Sequence, residues 1–153
     1  MYNTVSVKYW ENENFLNYNL KTKEGDKTYV TYYASGVQAG FPSPADDFKE
    51  QQLSLDERYL SHPEATFMVR VAGSSMEPTL QVGDILIVKS DVVLEDNKIG
   101  IVSVNHTDFT VKRLDKKNQR LVADNPAFES IHIQETDTVV CLGVVMHLIR
   151  DIK

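Results

Sequence analysis

Two short stretches carry the residue types that acyl transfer needs. The first reads Gly73-Ser74-Ser75-Met76-Glu77-Pro78, followed after Gly83-Asp84 by the apolar run Ile85-Leu86-Ile87-Val88. This pattern predicts a strand ending at Gly73, a serine turn whose backbone Pro78 keeps from pairing, and a second strand. A serine at the lip of a strand presents its hydroxyl and its own backbone N–H to an incoming carbonyl, as a nucleophile with an oxyanion contact must. The same spacing also suits an ordinary serine-rich turn. The second stretch, Phe109-Thr110-Val111-Lys112-Arg113-Leu114, places a lysine 37 residues beyond Ser75 in a run of β-branched and aromatic residues. On a two-residue period Thr110, Lys112 and Leu114 share one face, and Phe109, Val111 and Arg113 the other, so one basic side chain points inward. A lysine in apolar surroundings loses hydration, its pKa falls, and it becomes a general base at ordinary pH. Ser75 and Lys112 would together form a nucleophile and base. The alternative for Lys112 is an edge-strand lysine that guards against aggregation.

The elements that must position these residues are nearly all strands. Apolar and β-branched runs predict strands at 66–71, 85–88, 99–104, 109–114, 120–123, 131–133 and 139–148. Asn105-His106-Thr107-Asp108 reads as a four-residue hairpin loop, with Lys112 on the hairpin's second strand. Ser54 followed by Glu57 is a capping-box pattern and predicts a short helix that His62-Pro63 ends. Ahead of these, residues 1–34 hold six of the seven tyrosines and the only tryptophan. Lys23-Glu24-Gly25-Asp26-Lys27 is a turn signal and residues 28–33 a strand, so this segment is expected to be a β-rich arm. Its aromatics and lysines would suit stacking on single-stranded nucleic acid, but Glu11, Glu13, Glu24 and Asp26 offset Lys8, Lys21, Lys23 and Lys27. Packing against the main domain or a second subunit is the expected role. Between arm and domain, Gly36 and Gly40 loosen the chain while Pro42 and Pro44 keep it extended, a shape for a linker or for a peptidase substrate.

The serine stretch, the lysine stretch, residues Ala39-Gly40-Phe41-Pro42-Ser43-Pro44-Ala45-Asp46 and the tail Gly143-Val144-Val145-Met146-His147 occur in an order that resembles the LexA/UmuD family of self-cleaving Ser-Lys peptidases. The likeness runs from about Gln38 to the C-terminus and is nearer to the UmuD branch. It implies a compact, mostly β fold like the LexA/UmuD C-terminal peptidase domain, with a short helix and the β-rich N-terminal arm. It implies Ser75 as nucleophile, Lys112 as general base and Ala39-Gly40 as the bond cut, dividing the chain into an arm, 1–39, removed by self-cleavage, and a peptidase-like domain, 40–153. It further implies stimulation by the RecA filament and a processed homodimer acting with a UmuC-type translesion DNA polymerase in SOS mutagenesis. The arm is longer and richer in aromatics than the UmuD pattern, and Ala39 stands where that pattern has cysteine.

Other readings stay open at this level. Residues 75–80 and Lys112-Arg113 also resemble the serine and lysine boxes of signal peptidases, which are membrane-anchored. A LexA-like transcriptional regulator or a non-catalytic binding module would keep the same fold. Composition narrows these choices. With 153 residues the chain is one domain's worth, and its net charge of −6 lacks the basic footprint of an independent DNA binder, so no direct specific DNA binding is expected. One cysteine, Cys141 in a buried-strand pattern, and four scattered histidines build neither a disulfide nor a metal site, and no cofactor is expected. No apolar run reaches the ~18 residues of a membrane span and no signal peptide opens the chain, so a cytoplasmic location is expected.

Overall fold

A computed structural model describes residues 7–9, 27–33 and 50–153. In chain order the strands are β1 (Val7–Tyr9), β2 (Val30–Tyr33), β3 (Glu50–Leu53), β4 (Thr66–Arg70), β5 (Ile85–Lys89), β6 (Ile99–Val104), β7 (Thr110–Asp115), β8 (Arg120–Val122), β9 (Ile131–His132) and β10 (Val139–Ile149). One helix, α1 (Leu55–Tyr59), and a 3-10 turn, Pro63–Ala65, lie between β3 and β4. The mostly β class expected from the sequence is what the chain adopts.

The chain divides into two compact units, whose described residues are 7–9 with 64–153, and 27–33 with 50–63. In the larger unit the strands pair in the order β4-β5-β10-β6-β7-β8-β9, and β1 lies beside β10. Every pairing is antiparallel except that of β1 with β10. The 11-residue β10 ties the sheet together by pairing with β6 through residues 139–144 and with β5 through residues 144–149. A register shift between Cys141 and Gly143 interrupts its pairing with β6, and one between Val145 and His147 its pairing with β5. Gly143 permits the close approach, because a Cβ there would lie 2.8 Å from the Lys89 carbonyl oxygen.

Alternation along these strands builds two apolar clusters. One gathers Leu94, Val102, Leu114, Leu121 and Val139, and the other Val71, Met76, Leu80, Leu86 and Val88. Burying each such side chain is worth roughly 1.5–3 kcal/mol, so the turn that carries Met76 and Leu80 is held down firmly.

The smaller unit pairs β2 with β3 in an antiparallel ladder and carries α1. Ser54 does precede the helix, but the expected capping box does not form. The Ser54 side chain makes no cap bond and its hydroxyl is buried without a partner. Glu57 is engaged elsewhere, accepting hydrogen bonds from Tyr29 Oη at 2.6 Å and Lys27 Nζ at 3.0 Å. A charged donor outcompetes the weaker reach back to a backbone N–H. β3 is not among the expected strands, and β1 lies in the segment expected to be a β-rich arm. Glu50-Gln51-Gln52-Leu53 has no apolar alternation, and only its pairing with β2 makes it a strand. The β6–β7 connection is one residue longer than expected: Asn105 and His106 take left-handed backbone conformations, and Phe109 stays outside β7.

Candidate active site

Ser75 sits in the turn after β4, and both ends of that turn are fixed from below. Met76 and Leu80 are each 2% exposed, and the Leu80 N–H donates to the Met76 carbonyl. The Val71 N–H donates to the Asp84 carbonyl and the Gly83 N–H to the Val71 carbonyl, closing the 71–84 segment at its base. Gly83 has φ +95, with nothing near a built Cβ, so the position calls for glycine by conformation rather than for lack of space. Asp84, 2% exposed, accepts from the Gln81 N–H and from Arg150 Nε at 2.7 Å and Nη2 at 2.6 Å. That guanidinium holds the Asp84 carboxyl below the usual carboxylate range against the opposing effect of burial.

Lys112 reaches the turn from β7, where it stands opposite Gly100 of β6. It is only 7% exposed, and Leu114 two residues on is buried on the same face, as the alternation predicts. Lys112 Nζ lies 3.0 Å from Ser75 Oγ, 3.2 Å from Thr110 Oγ1 and 3.2 Å from the Val111 carbonyl oxygen. All three neighbours are neutral oxygens. Burial therefore acts without a compensating carboxylate and lowers the lysine pKa. A neutral amine has two N–H groups and one lone pair. Donation to Thr110 and Val111 uses both N–H groups and leaves the lone pair facing the Ser75 hydroxyl, the arrangement in which the amine accepts a proton.

A third segment, which sequence reasoning did not single out, closes the site. Arg113, next to Lys112, makes a two-pronged salt bridge with Asp124, its Nε 2.8 Å from Oδ1 and its Nη2 bonded to Oδ2. Asn125 then donates its backbone N–H to the Ser75 carbonyl at 3.0 Å and its Nδ2 to the Ser74 carbonyl at 2.9 Å. Asn125-Pro126 is a turn signal in the sequence, but nothing local says that the turn meets a serine 50 residues earlier.

Of the four site residues expected from the sequence, the fold brings Ser75 and Lys112 into contact, whereas Ala39 and Gly40 lie outside the described residues. Cys141 offers no competing nucleophile, since burial pushes its thiol up to about 11. Among the described residues no cluster of metal-ligating side chains occurs, and no helix is long and apolar enough to cross a membrane.

Residues 31–146 match the peptidase S24-like family. The chain belongs to that family. Protein ImpA of Salmonella typhimurium is 38% identical over 131 residues, spanning 82% of this chain and 88% of its own. Protein MucA of Escherichia coli is 37% identical over 121 residues, spanning 77% and 82%. The LexA repressor of Acidithiobacillus ferrooxidans is 38% identical over 120 residues, 74% of this chain but 58% of the repressor. The resemblance to the LexA/UmuD group, UmuD-like relatives among them, is thereby borne out.

Proposed function

We propose that the chain is a self-cleaving serine peptidase of UmuD type, with Ser75 as nucleophile, Lys112 as general base and Ala39-Gly40 as the bond cut. The observation that carries this reading is the 3.0 Å contact between Ser75 Oγ and a buried Lys112 Nζ. Neutral Lys112 takes the hydroxyl proton as Oγ bonds to the Ala39 carbonyl carbon. The Ser75 N–H and an adjacent backbone amide stabilise the oxyanion. The ammonium then protonates the Gly40 nitrogen and the C–N bond breaks, leaving Gly40 as a free amine and Ala39 esterified to Ser75. Water gives a proton to Lys112 as its oxygen bonds to the ester carbon, the ammonium passes that proton to Ser75 Oγ as the C–O bond breaks, and residues 1–39 leave with a terminal carboxylic acid that ionises. General-base help of this kind is worth roughly 10²–10⁴-fold. Ser75 lies 36 residues beyond Ala39, and the bond enters either the chain's own site or a partner's.

The test is the self-cleavage rate of the purified chain from neutral to strongly alkaline pH. Below the folded-state pKa of Lys112 the neutral fraction grows about tenfold per pH unit, so the rate climbs and then levels off. Ser75→Ala is inert throughout, and Lys112→Ala and Lys112→Arg lack the rise, because guanidinium keeps its proton. Ser75→Cys retains part of the activity. Cleavage of Lys112→Ala at the wild-type rate would overturn the assignment.

Family resemblance supports the wider reading: stimulation by the RecA filament, a homodimer, and partnership with a UmuC-type translesion polymerase in SOS mutagenesis. Intact mass after incubation with RecA on single-stranded DNA tests the first, and light scattering the second. The similarity to LexA repressor favours a second reading, a transcriptional regulator, which a DNA gel shift by protein that stays intact at alkaline pH would support.

A further inference from the structure

Asn125 makes hydrogen bonds both to its own turn and to the nucleophile's turn. Its backbone N–H donates to the Ser75 carbonyl, and its Nδ2 donates to the Ser74 carbonyl at 2.9 Å. Its Oδ1 accepts from the Ala127 N–H at 3.0 Å and its carbonyl from the Phe128 N–H at 3.1 Å. The Ala127 contact settles which way the amide faces: oxygen toward its own turn, nitrogen toward Ser74. One residue upstream, Asp124 is clamped by Arg113, the neighbour of Lys112. A continuous chain of contacts thus runs from β7 through Arg113, Asp124 and Asn125 to the two peptide groups that flank the Ser75 α-carbon. Asp124 also bonds the Thr79 side chain in the same turn, and Asn125 is the residue that reaches the peptide groups of Ser75 itself.

We propose that Asn125 is a positioning residue for Ser75, its side-chain amide fixing the Ser74–Ser75 peptide so that Oγ stays in line with Lys112 Nζ. This rests on the Ser-Lys reading above. Asn125 touches neither Oγ nor Nζ and acts only through the backbone it holds. Displacement of a reacting atom by about 1 Å costs up to about 100-fold in rate, so loss of this tether is expected to lower cleavage by roughly 10- to 100-fold.

The decisive variant is Asn125→Asp. It keeps the shape, the backbone N–H and an oxygen for the Ala127 N–H, but puts a carboxylate oxygen against the Ser74 carbonyl in place of the donor. Asn125→Ala, which also loses the Ala127 contact, accompanies it. Three measurements are made on the full chain: the pH profile of self-cleavage, the rate of Ser75 phosphonylation by a fluorophosphonate read by intact mass, and the thermal midpoint. The expected result is a lowered plateau and slower Ser75 labelling in proportion in both variants that remain folded, with an unchanged pH midpoint in Asn125→Ala. The midpoint is read in Asn125→Ala because the carboxylate of Asn125→Asp would itself favour the charged lysine. Wild-type cleavage and labelling in folded Asn125→Asp overturn the proposal. So does a midpoint in Asn125→Ala that moves up toward that of an ordinary lysine, which would mean that Asn125 only keeps water from Lys112. Labelling reports on Ser75 even if the scissile bond lies elsewhere. Wild-type-rate cleavage in Lys112→Ala would instead remove the Ser-Lys reading while leaving the labelling comparison intact.

Discussion

Replacing Arg150 by alanine isolates the anchor beneath the Ser75 turn. Asp84 is 2% exposed and has three hydrogen-bond donors, one from the Gln81 N–H and two from Arg150. Arg150→Ala deletes the two charge-assisted bonds and leaves a buried carboxylate with one backbone donor. Each such bond contributes about 1.5–3 kcal/mol, and removing one partner of a buried pair typically costs about 3–5 kcal/mol. The Arg150 side chain is 37% exposed, so water replaces part of what is lost. The lower end, about 3 kcal/mol, is therefore expected, equivalent to a fall in Tm of about 6–12 °C for a chain of this size. The pH dependence fixes the cause. Arg150 depresses the folded-state pKa of Asp84 below the ordinary 3.8, so the pair contributes stability that is present above that value and is lost as pH falls through the depressed one. In the variant, protonating Asp84 relieves a strained charge instead, so the gap between variant and wild type narrows with acidification. Calorimetry or circular-dichroism melts from neutral pH down to about pH 3 measure both effects. A loss under about 1 kcal/mol, or a gap independent of pH, would refute the argument that the carboxylate depends on Arg150.

Three further outcomes follow from the same geometry. In Lys112→Met the stability difference from wild type should change with pH. Wild type gains as pH rises from the lowered folded-state pKa toward 10.5, where the unfolded chain still holds a proton that the folded chain has lost. The gain is about 1.4 kcal/mol per unit of depression, and a difference that stays flat in denaturant melts would show that the ammonium is not desolvated. Gly143→Ala should destabilise by about 1–3 kcal/mol because its Cβ meets the Lys89 carbonyl, whereas Gly100→Ala, which meets the mobile end of Leu94, should lose less in the same melts. Gly40→Glu should block processing with the fold unchanged, since a bulky charged side chain cannot enter a site that accepts glycine; normal self-cleavage by intact mass would place the bond elsewhere.

What was legible in the sequence was whatever depends on local pattern. The bounds of β6 coincide with the expected strand, and β5, β7 and β10 differ by a residue or so at their ends, because apolar alternation over five or more residues reports directly on burial. Alternation puts Lys112 on the face of Leu114 and Arg113 on the opposite one, so it was legible that one of the two basic residues points inward, as was the turn at Gly83. Pairing partners and competition between donors were not legible. β3 lacks an apolar pattern and is a strand only through β2, β1 alternates but over three residues that only β10 makes a strand, and Glu57 abandoned the Ser54 cap for Lys27 and Tyr29, which the fold brings within reach. Period-two alternation did not choose between Lys112 and Arg113 as the inward residue, nor say that Lys112 meets Ser75 at 3.0 Å rather than another residue of the core. Nor did it say that Asn125 grips the serine's peptide groups. Such contacts join residues 37 and 50 or more positions apart. Their distances are set by how β7 and the turns after β4 and β8 are held against one sheet, which is a property of the assembled tertiary structure.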